Sequence, residues 1–266
     1  MKQISILGCG WLGMPLAKKL IQKGYSIKGS TTTEAKLEIL KNEGISSFLI
    51  SLQANDISHE IVDFLENSEI LIINIPPGLR GSSGESFVSK MENFIPFVEK
   101  SSVKKVIFVS STSVYADENQ VATEETLPKP ETESGKQLLK VENFLLQNTY
   151  FQTTILRFGG LIGEDRHPVN FLAGRNNIEN PQAPINLIHQ QDCIEIIQKI
   201  IEKEVWNTVL NAVAPFHPTR KKYYTEKALE QNLALPQFNE NEHSVGKTVS
   251  SNKLIQLLNY QFKNLG

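Results

Sequence analysis

A chain of 266 residues, 40% of them hydrophobic and 21% charged, has ample apolar material for a folded core. A formal net charge of -2 offers no broad electrostatic footprint for nucleic acid or an anionic membrane, and two cysteines, Cys9 and Cys193, make neither a disulfide framework nor a metal site. The first strand and a glycine turn follow Lys2 directly, and the longest apolar run, Ile70 to Pro77, falls far short of the roughly 20 residues that span a bilayer; the expectation is a cytoplasmic protein with no membrane, nucleic-acid or metal partner.

Ile4-Ser5-Ile6-Leu7 reads as a buried strand. Leu12 to Lys23 places Leu12, Leu16, Leu20 and Ile21 on one helical face, and Gly24 stops that helix. Tyr25 to Gly29 is a second strand, Glu34 to Lys41 a helix, Phe48 to Leu52 a third strand, Glu60 to Glu66 a helix, and Ile70 to Ile75 a fourth strand. Its near-continuous apolar character suits a strand covered on both faces, as in a parallel sheet. Ser86 to Lys100 carries an apolar stripe of Phe87, Met91, Phe94, Ile95 and Val98; Val106 to Val109 is the fifth strand, Ser134 to Gln147 a helix and Thr153 to Phe158 a strand.

Beyond Phe158 the regularity fades. Gly159 to Pro184 is rich in Gly, Asn, Pro and Arg, followed by a helix at Asp192–Lys203, a strand at Thr208–Ala212, and helices near Thr219–Asn232 and Asn252–Leu258. Strand–helix alternation specifies a doubly wound, Rossmann-type α/β sheet. The expected division is a dinucleotide-binding domain over 1–158, with 186–213 returning to it, and a small C-terminal substrate lobe from 159–185 and 214–266.

Gly8-Cys9-Gly10-Trp11-Leu12-Gly13 leaves the first strand and opens the first helix. A turn of this form lets the backbone approach a pyrophosphate, while the helix N-terminus offers unpaired N–H donors and a favourable dipole. NAD sites usually place an acid at the end of the second strand for the ribose hydroxyls. Here that position reads Gly29-Ser30-Thr31-Thr32-Thr33 with Lys36 beyond, and no acid precedes Glu34. Hydroxyls and a lysine suit a 2′-phosphate, so NADP is preferred over NAD, with Ser30, Thr31, Thr32 and Lys36 as its contacts. Asn74, Ile75 and Pro76 leave the fourth strand toward the same edge and complete the expected cofactor set.

With the fifth strand the chain resembles the short-chain dehydrogenase/reductase superfamily, in its extended, NAD-dependent epimerase/dehydratase branch. The residues that carry the resemblance are Val109-Ser110-Ser111-Thr112-Ser113-Val114-Tyr115, Leu156-Arg157-Phe158-Gly159-Gly160-Leu161-Ile162-Gly163, and Asn186-Leu187-Ile188-His189-Gln190-Gln191-Asp192. By that resemblance Ser111 holds a substrate hydroxyl and Lys136 falls at the lysine of the Y-x-x-x-K motif, binding ribose. Thr132 stands where the motif tyrosine belongs, and a threonine hydroxyl is too weak an acid to take over from a phenol. The glycine turn also departs, being GxGxxG where this branch usually has GxxGxxG.

Tyr115 enters as a catalytic candidate from its place near Ser111, and Arg166, His167 and Arg175 as contacts to an anionic substrate. His189 is read as fixing the local turn. The resemblance implies an NAD(P)-dependent oxidoreductase or epimerase-like enzyme acting on a small polar substrate, nucleotide-linked in the family's pattern. Its rival is a dinucleotide-binding sensor or scaffold without chemistry, favoured by the missing tyrosine. Ser86–Lys100 with Ser134–Gln147 is the candidate homodimer face.

Overall fold

In a computed structural model of the chain, the described residues are 2–78, 86–241 and 243–263. The first half alternates β1 (Gln3–Leu7), α1 (Gly13–Gln22), β2 (Ser26–Thr31), α2 (Lys36–Asn42), β3 (Ser46–Leu49), α3 (Ile61–Leu65), β4 (Ile70–Ile73), α4 (Phe87–Glu99) and β5 (Lys105–Ser111). After a 3-10 turn at Thr112–Val114 come β6 (Gln120–Ala122), α5 (Glu133–Gln147), β7 (Gln152–Phe158), β8 (Gly160–Ile162), α6 (Val169–Leu172), β9 (Leu187–His189), α7 (Gln190–Glu202), β10 (Thr208–Ala212), α8 (Arg220–Glu230), β11 (Lys247–Val249) and α9 (Asn252–Leu258).

Among the described residues, seven strands form one parallel sheet in the order β3-β2-β1-β4-β5-β7-β10. All four residues of β4 are buried, as a central strand with helices on both faces requires. On one face α1 and α7 pack through Leu16, Leu20, Ile196 and Ile200; on the other, α4 brings down Phe87, Met91, Phe94 and Val98 beside Leu138 and Val141 of α5. The strand order reverses between β1 and β4, and the carboxyl ends at such a switch point are where doubly wound sheets leave a ligand crevice.

β10 is an edge strand, and its outward backbone groups are closed by side chains. Glu124 accepts the Asn211 amide at 2.7 Å, Lys253 donates to the Val209 carbonyl at 3.0 Å, and just past the strand Ser251 both accepts from and donates to Val213 at 2.8 Å. An edge so covered does not offer a template for a further strand.

Short strands unforeseen in the sequence hold the second half together. β8 pairs with β9, and β11 returns across more than a hundred residues to pair with β6. A small separate core of Ile162, Val169, Ile185, Leu187, Tyr223, Tyr224 and Ala228 defines the C-terminal lobe. The tail departs from the expected division. Leu254, Leu258, Tyr260 and Phe262 join the core of the central sheet, so α9 and the residues after it belong with the dinucleotide-type domain and not with the lobe. Tyr260 fastens this segment by donating to the buried Asp192 carboxylate of α7 at 2.6 Å. The last expected lobe residues, 264–266, lie outside the described residues. Among the described residues no helix is long and apolar enough to cross a membrane.

Candidate functional site

The glycine turn sits at the switch point, and its glycines stand in different surroundings. Gly8 has φ of +102°, and a Cβ there would lie 2.5 Å from the Asn74 carbonyl oxygen. At Gly13 a Cβ would meet the Gly8 carbonyl oxygen at 2.2 Å, so α1 starts against the strand only because no side chain intervenes. Around Gly10, by contrast, a Cβ would find nothing within 4 Å: its α-carbon faces open space. The turn is braced from β4, where Asn74 donates to the Gly8 carbonyl at 3.1 Å and Ile75 lies behind it, while Pro76 is exposed. Leu12 is buried beneath the turn. Cys9 is buried as well, and burial pushes its thiol up to about 12, which leaves it a packing group.

The four residues expected to meet a 2′-phosphate separate into two pairs. Ser30 and Thr31 are buried; the Ser30 hydroxyl accepts the Gly8 amide at 2.9 Å and the Thr31 hydroxyl accepts the Thr33 amide at 3.1 Å. Their hydroxyls shape the backbone, a correction to their assignment as phosphate contacts. Thr32 and Lys36 are exposed at the same strand end.

A cavity of about 630 Å³ opens over the turn, lined by Cys9, Gly10, Trp11, Lys36, Asp165 and Gln190 among others. That volume lies within the range of small-molecule and cofactor pockets. Trp11 spans its mouth. The indole donates to Asp165 at 2.7 Å, the Arg166 guanidinium lies 5.1 Å above its ring, and Gln190 donates to its carbonyl at 2.7 Å. Gly163 lies beneath, where a Cβ would come 2.8 Å from the indole. Arg166 therefore belongs to this mouth and not to a substrate pocket near Ser111.

Ser111 closes β5 beside a second cavity of about 350 Å³, between the sheet edge and the small lobe. Its hydroxyl accepts the Ser113 amide at 3.1 Å, keeping its own proton available to donate. Tyr115 does not share this cavity. Its ring is 1% exposed; its hydroxyl accepts from Arg157 at 2.7 Å and donates to Asn211 at 3.0 Å. Burial holds the phenol above its ordinary range, with the Arg157 charge opposing only in part. A group sealed from ligand cannot exchange a proton with one, so Tyr115 is removed from the catalytic set.

Tyr115 is one member of a buried polar row that the sequence does not display. Ser110, Arg157 and Asn211 stand side by side across β5, β7 and β10. From α5, the buried Glu142 accepts the Ser110 hydroxyl at 2.5 Å and the Arg157 guanidinium through both carboxylate oxygens at 2.5–3.1 Å. Burial alone would lower the Arg157 pKa; the Glu142 bonds and charge reverse this and raise it.

Thr132 has a local structural role. Thr132 caps α5, its hydroxyl accepting the Gly135 amide at 3.1 Å, and a Cβ on Gly135 would lie 2.5 Å from the Ser113 carbonyl. The helix thus begins tight against the Ser111 loop with a cap where a phenol was looked for. Lys136 is exposed on the first turn and lines neither cavity, so its place in the motif spacing does not bring it to Ser111.

His167 and Arg175 also move out of the substrate set. The His167 ring accepts the Val169 amide on Nδ1 and meets the Tyr223 hydroxyl through Nε2, both at 3.1 Å, with the two rings stacked at 5.7 Å. Burial, and next the nearby Lys227 charge, lower its pKa, so it is a neutral packing histidine. Arg175 is exposed, and its carbonyl accepts from Gln237 in the outer wall of the lobe. His189 caps α7, its Nδ1 accepting the Gln191 amide at 3.2 Å. Asn186 ties the lobe to β11, bonding Lys247 at 2.7 Å and Val249 at 2.8 Å. Arg220, Tyr224 and Lys247, which the sequence reading passed over, line the Ser111 cavity.

Comparison with known proteins agrees with this architecture. Residues 3–128 match the family model described as the NAD binding domain of 6-phosphogluconate dehydrogenase. Protein YeeZ of Escherichia coli strain K12 is 31% identical over 265 residues, covering 99% of this chain and 96% of its own. Among solved structures, a UDP-glucose 4-epimerase with UDP-glucose from Thermotoga maritima superposes with a TM-score of 0.81 at 17% identity, covering 98% of this chain and 94% of that one. A UDP-glucuronic acid 4-epimerase from Bacillus cereus in complex with NAD gives 0.79 at 18% identity, with 98% and 92% covered. At those identities the two epimerases share the fold.

Proposed function

We propose a function from one premise: the chain belongs to the same family as Protein YeeZ of Escherichia coli, a relationship that runs through both of its lobes. On this reading it is an NAD(P)-dependent, epimerase- or dehydrogenase-like oxidoreductase whose dinucleotide sits over the glycine turn and whose small polar substrate enters the cleft at Ser111. The observation that carries it is the contrast within the turn: Gly8 and Gly13 are closed in by backbone, whereas Gly10 opens onto a cavity large enough for a cofactor.

The residues present fit the dinucleotide. The turn and the start of α1 offer backbone N–H donors to a diphosphate. Trp11, held by Asp165 and Gln190, would flank it, and Thr32 with Lys36 would meet a 2′-phosphate. This second pair supports NADP over NAD. When bound, the nicotinamide supplies a hydride donor or acceptor. Ser111 would hold the reacting oxygen by donating its hydroxyl proton, and the lobe opposite would exclude water. Neighbours of this fold include epimerases with nucleotide-linked sugars, which makes such sugars the first compounds to try. The capping role of Thr132 and the sealed position of Tyr115 favour a second reading, a dinucleotide-binding sensor without turnover.

A homodimer through α4 and α5 and a cytoplasmic location go with either reading. The test is a titration followed by fluorescence of Trp11, which lines the cavity. NADPH should bind more tightly than NADH at equal ionic strength, and Lys36→Ala should narrow the difference by about tenfold, the ~1.4 kcal/mol expected of one charge-assisted contact. Binding of neither coenzyme would refute the function, and equal affinities would refute the NADP preference.

A further inference from the structure

The cavity beside Ser111 collects charge and hydrogen-bonding capacity that the fold itself does not use. Two of its charged groups cancel: Lys247 donates to Asp117 at 2.8 Å and to the Tyr115 carbonyl at 2.8 Å. Arg220 is different. Its guanidinium donates to the Glu179 carbonyl at 3.1 Å, and among the described residues it has no carboxylate partner. One helical turn along α8, Tyr224 is 7% exposed, and among the described residues its hydroxyl has no hydrogen-bond partner. The ring is buried, yet the hydroxyl is not among the buried unpartnered polar atoms, so it meets the accessible space of the cavity it lines and is free to bond a ligand there. Positions i and i+4 share a helix face, so guanidinium and phenol line the same wall. From across the cavity come Ser111 and Ser113 on the sheet side.

We propose that this cavity is an oxyanion site, in which Arg220 supplies the charge and Tyr224 a hydrogen bond to a small phosphate ester or carboxylate whose far end reaches Ser111. The inference rests on reading the Ser111 cleft as the substrate site and names its substrate class. A guanidinium free of carboxylates presents paired N–H groups that match phosphate or carboxylate oxygens, which an ammonium already engaged, such as Lys247, cannot do. At about 350 Å³ the cavity is at the small end of ligand pockets, which suits a compact anion. Because Arg220 and Tyr224 stand on the lobe and Ser111 on the sheet edge, the bound anion would also draw the lobes together.

Calorimetric titration of the full-length protein with glycerol 3-phosphate, glycerate and glycerol, at fixed ionic strength, decides the matter. At least one anion should bind about tenfold or more tightly than glycerol, and the tighter of the two identifies phosphate ester or carboxylate. Arg220→Met should lose about tenfold of that affinity and Tyr224→Phe severalfold, in keeping with hydrogen bonds to a charged group. Arg220→Lys should recover part of the loss. Lys222→Met, which removes an exposed charge from the same helix, should bind as the parent does. Anions no better than glycerol, or equal losses in Arg220→Met and Lys222→Met, would overturn the proposal. Each variant is also titrated with NADPH: dinucleotide binding without anion selectivity defeats this inference alone, whereas anion binding without dinucleotide binding defeats the function proposed above.

Discussion

Where β1, β2 and β4 end, the chain turns away and leaves about 630 Å³ of open space lined by Gly10 and Trp11. Where β5, β7 and β10 end, the side chains of Ser110, Arg157 and Asn211 turn to one another and, with Tyr115 and Glu142, close the space between sheet and helix. Both regions lie at the carboxyl edge of one sheet and both contain residues with chemical capability. Accessibility is what separates them. In the first, Gly10 and Lys36 face a cavity; in the second, each group has found a partner inside the protein. A reactive residue type is a functional candidate only where folding has left it something to give.

The largest effect should come from breaking the closed region. Glu142→Gln leaves the buried Arg157 charge without its counter-ion, and removal of one member of such a pair costs about 3–5 kcal/mol. For a chain of this size that corresponds to a fall in Tm of roughly 10 °C. Coenzyme titration at a temperature where the variant is folded should be unchanged, since the row touches neither Gly10 nor Trp11. A variant that melts like the parent would mean that the pair does not hold sheet and helix together. One that keeps its Tm but loses coenzyme would erase the distinction between the two regions.

Within the open region the glycines sharpen the same contrast. Gly13→Ala drives a methyl group to 2.2 Å from a backbone oxygen, and overpacking of this kind costs about 1–3 kcal/mol. Gly10→Ala meets no protein atom, so its melting curve should match the parent. Its methyl group instead enters the space assigned to the diphosphate, and coenzyme affinity should fall about tenfold or more, equivalent to ~1.4 kcal/mol. Differential scanning calorimetry and NADPH titration together separate the outcomes. Were Gly10→Ala to bind coenzyme normally, the cavity would not be its seat.

How much of this was readable in advance depends on how local the cause is. The glycine turn is legible because its requirements fall within six consecutive residues, Gly8 to Gly13. The helical stripe from Phe87 to Val98 and the apolar run of β4 are legible because periodicity is itself the signal. The polar row is not, since Ser110, Arg157 and Asn211 meet only through strand register, and a shift of one residue would turn each to the opposite face. Arg220 and Tyr224 reach Ser111 across more than a hundred residues, from a lobe whose short strands carry little hydrophobic pattern. Ser30 and Thr31 show a subtler failure. Small hydroxyl side chains serve turns as readily as ligands, and the backbone amides nearest to them claimed both.

His167 gives the smallest effect and tests the same idea with a proton. Its Nδ1 accepts the Val169 amide, so the ring proton resides on Nε2 toward Tyr223. A second proton would have to go onto Nδ1, against an N–H donor, in a half-buried site near Lys227. The folded protein therefore takes that proton at lower pH than the unfolded chain, whose histidine titrates near 6.5. Stability from this group is complete above that value and declines as pH falls through it toward the lowered value of the folded state. Thermal melts between pH 7.5 and 5 should show this decline in the parent. His167→Asn, whose amide oxygen can accept the Val169 N–H without titrating, should lose that part of the slope. Equal slopes would return His167 to the accessible groups, where a charged imidazolium could meet an anion after all.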